Sequence, residues 1–309
     1  MSLCITTLTP SGIILTADSR QTYRNNAGMT RIGTDNAVKL FQLSKKVAVV
    51  IAGRAFFPDS KGVFKETGWF INEFKKTVLD GKDVPAVKDI ANKLNSYLVH
   101  NFIEPEEVRI KLHLEAEIKK EGGTNITFNP RHEITISYSF TKDGNRIDRT
   151  FIIETISFIV AGYDADGIGR AYYCLAPVDP TDPVSRNTEV GGFLRIGQDD
   201  IVTRIINGWA PEIQNMPFVK KAQSDGVNIY EELGKVCHII NWGVMTLQDS
   251  VDFCVLMTRI TESVQRFSDG THMSPGGITG VGGAIDVAKI TPDSDFEWIR
   301  KKELVVDDS

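Results

Sequence analysis

The opening of the chain restricts its fold more than any other stretch. Residues 4–9 and 13–17 are short apolar runs rich in β-branched side chains, separated by Thr9-Pro10-Ser11-Gly12 and stopped abruptly by Asp18-Ser19-Arg20. Runs of this kind read as a β-hairpin. A polar cluster where a buried strand ends, next to the start of the chain, points to a site at that spot. Ser2 stands directly behind Met1. With Met1 removed, which the small side chain of serine favours, Ser2 carries a hydroxyl and a free α-amine on one residue. Such an amine titrates at about 7.7–8.0, so it suits the role of general base for its own hydroxyl. The plainer reading of the same residues is a core hairpin followed by a charged turn.

The remaining composition narrows the function classes. A chain of 309 residues with 41% hydrophobic and 24% charged side chains is long enough to bury a sizeable core, as one large domain or two small ones. A formal net charge of -5, with no basic stripe interleaved with aromatics, argues against nonspecific nucleic-acid binding. The longest apolar runs, 47–52 and 158–161, fall far short of a membrane span, so no membrane contact is expected. No positively charged segment precedes an apolar one in the manner of a secretory signal, and the expected location is the cytoplasm. Cys4, Cys174, Cys237 and Cys254 are scattered through apolar stretches without a Cys-x-x-Cys pair. The histidines are equally dispersed, and Cys237-His238 lacks the further ligands of a zinc site. Neither a metal nor a cofactor is expected.

Residues 37–43 and 47–52 read as a second hairpin, and the polar, glycine-containing stretch 21–36 as an ordered loop over one end of the sheet. Apolar residues at helical spacing then mark helices over 62–79 and 84–102, separated by Asp80-Gly81. Residues 105–120 read as a charged helix. Residues 133–140 and 149–154 flank the hairpin turn Asp143-Gly144-Asn145. The segment 105–156 therefore reads as an insertion, used for assembly or for covering a site. A hairpin over 158–163 and 171–175 follows, then a loop over 177–192. Two helices come next, the longer one capped by Thr246 with Asp249 and running to about residue 267. A glycine-rich loop (275–283), a strand (284–290) and a charged tail complete the chain. The order implies stacked sheets with helices outside, an α+β sandwich in a single domain (1–309) carrying the insertion.

Two isolated residues gain meaning from their place in this order. Lys39 begins an otherwise apolar strand; it either snorkels from the strand edge or stands near Ser2 with Asp18 as counter-ion. In the second case it favours the alkoxide and keeps the terminal amine neutral. Gly53 ends a strand; it is either a backbone turn or an exposed N–H aimed at a developing oxyanion. The glycines between 276 and 283 follow a helix and precede a strand, the reverse of a phosphate-binding loop. Gly-x-Ser-x-Gly is absent, so an α/β-hydrolase elbow has no support.

Together, Gly12-Ile13-Ile14-Leu15-Thr16-Ala17-Asp18-Ser19-Arg20, Asn36-Ala37-Val38-Lys39-Leu40-Phe41 and Val49-Val50-Ile51-Ala52-Gly53 resemble the front half of proteasome β-type subunits. Ala161-Gly162-Tyr163-Asp164 with Ala171-Tyr172-Tyr173 is similar to the same family's central hairpin. The start Met-Ser-x-Cys and the late Val281-Gly282-Gly283-Ala284-Ile285-Asp286 resemble most the bacterial Anbu branch, the ancestral β-subunit-like proteins. The resemblance implies a four-layer αββα sandwich of the N-terminal nucleophile hydrolase class, amide-bond hydrolysis, and homo-oligomers in a ring or helical array. It also implies a peptide or amide substrate and an ATPase or other regulator as partner. It carries the nucleophile to Ser2, the strand-end aspartate to Asp18, the lysine to Lys39 and the oxyanion glycine to Gly53, with Arg20 matching the arginine after Asp-Ser. The chain departs from the family in two places: the late Asp-x-x-Ser-Gly-Gly is not literal, with Asp269 and Ser274 as offset candidates, and where the family has a Gly-Ser-rich stretch supporting the terminal amine this chain reads Ile196-Gly197-Gln198-Asp199-Asp200. Three functions follow: a peptidase in an oligomeric chamber, a catalytically inactive scaffold subunit, or an amidase or transpeptidase acting on a small substrate.

Overall fold

The computed structural model describes residues 2–25, 29–58, 62–79, 86–178, 183–271 and 274–303. The first hairpin forms as expected. Strands β1 (Leu3–Thr9) and β2 (Gly12–Ala17) pair antiparallel with Thr9 opposite Gly12, which leaves Pro10 and Ser11 as the turn. Residues 21–36, expected as a loop, instead hold a short strand pair, Gln21–Arg24 with Thr30–Thr34, built on Thr22, Tyr23, Thr30 and Ile32. The second hairpin joins β3 (Leu40–Gln42) to β4 (Val47–Gly53).

The helix expected over 62–79 starts later, because Phe64–Glu66 pairs with Phe56–Pro58. Helix α1 (Thr67–Phe74) runs into a π-helical turn, Lys75–Leu79; the expected Asp80-Gly81 separator lies outside the described residues. Helix α2 (Val87–Leu98) passes through a second π-helical turn, Val99–Ile103, directly into α3 (Glu104–Lys120). No break intervenes, since Pro105 falls in the first turn of α3, where a missing N–H costs little. Strands β5 (Thr124–Phe128), β6 (Thr135–Lys142) and β7 (Asn145–Ile152) form a sheet of their own in the order β7-β6-β5. Asp143 and Gly144 take the left-handed conformations that an Asp-Gly hairpin turn requires (φ 51° and 75°).

Strands β8 (Ile156–Tyr163) and β9 (Gly169–Ala176) make the expected central hairpin, followed by β10 (Ser185–Asn187) and β11 (Gly192–Gly197). Helices α4 (Asp200–Asn207), α5 (Pro217–Ser224) and α6 (Ile229–Gly234) precede α7 (Leu247–Phe267), more than the sequence reading anticipated. At the start of α7, Thr246 and Asp249 cap each other's backbone N–H groups as expected. Strand β12 (Asp286–Ile290) is followed by β13 (Glu297–Arg300), which lies in what reads as a charged tail; Trp298 packs inward from it.

The molecule is α+β. One five-stranded sheet has the order β11-β1-β2-β12-β13 and the other β10-β9-β8-β4-β3, with antiparallel neighbours throughout. Cys4, Leu8, Ile13 and Leu15 of the first cluster with Ala48, Val50, Ile159 and Ala161 of the second. The alternate residues of the first sheet, Leu3, Ile5 and Ile14, pack with Val202 of α4 and Cys254 and Met257 of α7. Those of the second, Val47, Val49, Phe158 and Val160, pack with Phe70 and Phe74 of α1 and Ile90 and Leu94 of α2. Both faces of each sheet are thus covered, which is why these strands are continuous apolar runs rather than alternating ones. Leu114, Ile118, Tyr138 and Phe140 make a separate cluster within 105–156.

Leu94, fully buried between α2 and the second sheet, gives a direct test of this packing. Leu94→Ala should lower stability by about 2–5 kcal/mol in urea denaturation. A cost below about 1 kcal/mol would show that α2 is not packed as described.

Candidate active site

Ser2 lies at the head of β1 and is 4% exposed. The peptide that joins it to Leu3 is clamped from two directions. The Gln198 N–H donates to the Ser2 carbonyl at 2.6 Å, and the Leu3 N–H donates to Asp18 Oδ1 at 3.0 Å. Gly197, which faces Leu3 across β1 and β11, has φ +93°, and a Cβ on it would stand 1.9 Å from the Ser2 carbonyl oxygen. The position therefore demands glycine on two counts, conformation and space. Gln198 is tied in turn to Gln265 of α7 (3.2 Å), whose Oε1 accepts the N–H groups of Gly280 and Val281 at 3.0 Å each. Sequence reasoning pointed to the stretch 196–200 but missed this clamp, because it depends on β11 pairing with β1.

Asp18, at the end of β2, has no exposed surface. Its carboxylate accepts from four donors: Leu3 N–H and Lys39 Nζ (2.6 Å) on Oδ1, and Arg20 N–H (3.2 Å) and Gly282 N–H (3.1 Å) on Oδ2. Burial of a charge at this depth is tolerated only with such pairing. Lys39 is 7% exposed and also donates to the Arg20 carbonyl at 2.5 Å. Of the two sequence readings of Lys39, the edge-snorkelling one is therefore excluded: the ammonium points inward to Asp18.

Gly53 ends β4 with φ +118°, and the Thr155 carbonyl oxygen stands 2.4 Å from where its Cβ would be. Ser2, Lys39 and Gly53 line one cavity of about 1050 Å³. Its walls include Tyr23 and Val38, and from the 105–156 segment Ile134, Ile152 and Glu154. Of the two uses considered for that segment, the structure thus bears on one: it borders the cavity that holds Ser2. Arg54, beside Gly53, pairs with Glu106 of α3 at 2.8 Å. Burial pushes the Glu106 carboxyl up, but Arg109 and Arg54 outweigh it and hold the group below its ordinary value.

Arg20 takes a supporting place. Its Nε and Nη2 donate to Asp35 at 2.7 and 2.9 Å, which raises the Arg20 pKa and lowers that of Asp35. The guanidinium lies against Gly282, where a Cβ would stand 2.6 Å from Cζ. The Gly282 carbonyl accepts the N–H groups of Ser19 and Arg20, so the late glycine loop braces the turn after β2. Asp269 is not among the described residues lining the cavity; its carbonyl accepts the Gly276 N–H at 2.6 Å. Ser274 pairs through its backbone with Thr271. Met1 lies outside the described residues.

Three of the cysteines are disfavoured as nucleophiles. Burial pushes the Cys4 thiol up to about 12, against the opposing pull of Lys39, so it stays protonated at neutral pH. Cys174 and Cys254 are raised to about 12 by burial as well. Among the described residues, no group of three or more His, Cys, Asp and Glu side chains is arranged to hold a metal ion, and no helix is long and apolar enough to cross a membrane.

The clamp on residue 2 has a measurable consequence. Gly197→Ala should cost about 1–3 kcal/mol of stability in chemical denaturation, because the new methyl forces the Ser2 backbone or β11 to move. A variant as stable as the parent would show that the clamp is slack.

No protein-family model matches the chain, and no curated protein matches it.

Proposed function

We propose that the chain is an N-terminal serine amide hydrolase with a proteasome β-subunit-like fold, a peptidase working in a homo-oligomeric assembly. The observation that carries this reading is the joint lining of one cavity by Ser2, Lys39 and Gly53, with Asp18 holding Lys39 at 2.6 Å from behind. The sequence of cores, helix against sheet, sheet against sheet, sheet against helix, supports a four-layer αββα sandwich. Residues 105–156 are then an insertion on a single domain.

In this mechanism Ser2 is the first residue of the mature chain. Its Oγ adds to the substrate carbonyl carbon while its proton passes to the Ser2 α-amine, directly or through a water. The carbonyl electron pair moves onto oxygen and is received by the Gly53 N–H. The α-ammonium returns the proton to the leaving amine as the C–N bond breaks, and water then releases the acyl group from Ser2 in the same two stages. The Lys39 charge favours the ionised form of the hydroxyl and the neutral form of the amine, and Asp18 orients Lys39.

The mass of the protein isolated from its host is the first check: Met1 should be absent, and a mature chain still carrying it would sink the mechanism. With Ser2 exposed as the terminus, a β-lactone or boronate probe should label it. Lys39→Ala should slow that labelling by about 100-fold or more. Three backbone N–H groups still hold Asp18, so the variant should keep its fold by circular dichroism. Labelling at the parent rate would reduce Lys39 to a structural partner of Asp18.

Assembly is expected from the outer helices. Leu256 and Phe267 of α7 are exposed, and closed symmetry or a helical array of identical subunits would cover them. Light scattering at micromolar concentration should give a mass several times that of one chain. A clean monomer would favour an amidase acting on a small substrate.

A further inference from the structure

The residue that follows the proposed oxyanion donor is gripped from both ends of the 105–156 segment. Arg54 Nη1 donates to Glu106 Oε1 at 2.8 Å, its Nε donates to the Phe56 carbonyl at 3.0 Å, and its guanidinium lies 5.1 Å over the Phe57 ring. Its own carbonyl accepts the Thr67 hydroxyl at 3.0 Å. Glu106 stands in the first turn of α3 and is 6% exposed; Arg109 donates to its two oxygens at 2.6 and 2.9 Å. At the far end of the segment, the Thr155 carbonyl packs against Gly53, and Glu154 Oε2 comes within 3.7 Å of Arg54 Nε.

A buried ion pair is an inefficient way to dock one element on another, because desolvation of both charges offsets most of the attraction. Its distinctive property is geometric: a carboxylate that accepts from two guanidinium groups fixes directions that an apolar contact leaves loose. Here the fixed group is one peptide away from Gly53, and Arg54 itself lines the cavity. An oxyanion donor acts only when it is held at the position where charge develops, so small displacements are costly.

On the N-terminal hydrolase reading, we propose that Glu106 is a positioning residue: it fixes Arg54, and through Arg54 the Gly53 peptide, so that acylation of Ser2 depends on the docked 105–156 segment. The segment is then a working part of the site rather than an appendage.

The test compares the parent protein with Glu106→Gln, Arg54→Gln, the double variant and Glu107→Gln. Glu107 pairs with Lys111 and Arg131 inside the same segment and serves as the control. Acylation by a β-lactone is followed as a function of probe concentration. For Glu106→Gln the maximal acylation rate should fall about tenfold or more while half-saturation stays within about twofold. Arg54→Gln, which leaves Glu106 paired with Arg109 but also alters the cavity wall, should give the same fall in maximal rate, and the double variant should be no worse in that rate than the poorer single one, as expected for two ends of one contact. Hydrogen exchange of residues 50–58, a readout independent of activity, should quicken in Glu106→Gln and not in Glu107→Gln. Unchanged exchange and rate, or a shift in half-saturation alone, would overturn the proposal. A parent protein that the probe does not acylate, with exchange still quickened in Glu106→Gln, would overturn the hydrolase reading instead and leave Glu106 a structural clamp.

Discussion

Much of this molecule is organised around one buried carboxylate. Asp18 gathers three backbone N–H groups and one ammonium from four separate places: the start of β1, the turn after β2, the lysine before β3, and the glycine loop before β12. Each donor is satisfied by the group that most needs pairing, so the cost of burying the charge is met by elements that must meet there in any case. Removing the carboxylate would leave several buried donors without an acceptor at once. The positions of Ser2, Lys39 and Gly282 relative to one another follow from this single junction.

Around the junction, close approach is achieved by leaving side chains out. Gly197 lets β11 reach the Ser2 carbonyl, Gly282 lets the Arg20 guanidinium lie flat on the backbone, and Gly53 makes room for the Thr155 carbonyl. The glycines late in the chain use the same device at Gly282. They let one loop approach the Asp18 turn closely enough to hydrogen-bond with it through both its N–H and its carbonyl. Electrostatics here serves geometry: Arg20 is paired with Asp35, and Lys39 with Asp18 at the edge of the cavity.

The legible part of the sequence was that in which local pattern and tertiary role agree. Uninterrupted apolar runs ending in turn residues marked β1 to β4, β8, β9 and β12, and Thr246 with Asp249 marked the start of α7 by a mechanism confined to one helical turn. The set Ser2, Asp18, Lys39 and Gly53 could be named because each sits at the end of a strand whose neighbours were themselves readable. What escaped was whatever depends on pairing across distance. Strand β11 is a Phe-Leu-Arg-Ile run between glycines, too short to stand out until it lies against β1, and Phe64–Glu66 reads as helix until Phe56–Pro58 lies beside it. Asp269 and Ser274 rest on offset matches alone, and the link from Gln265 through Gln198 to the Ser2 carbonyl has no local signature at all.

The bond from the Gly282 N–H to Asp18 joins residues 264 positions apart. A contact of that range closes most of the chain into one loop, and the entropy of that closure opposes it. Until β12 docks beside β2, Asp18 lacks one of its four donors, and Ser19 and Arg20 lack the carbonyl that fixes their turn. The counter-ion of Lys39 is then held by Leu3 and Arg20 alone among its backbone donors, and the wall that the late loop braces beside Ser2 is incomplete. If Ser2 is the nucleophile proposed above, the arrangement ties chemical competence to the completeness of the fold: a partly folded or interrupted chain exposes a serine with nothing arranged to use it.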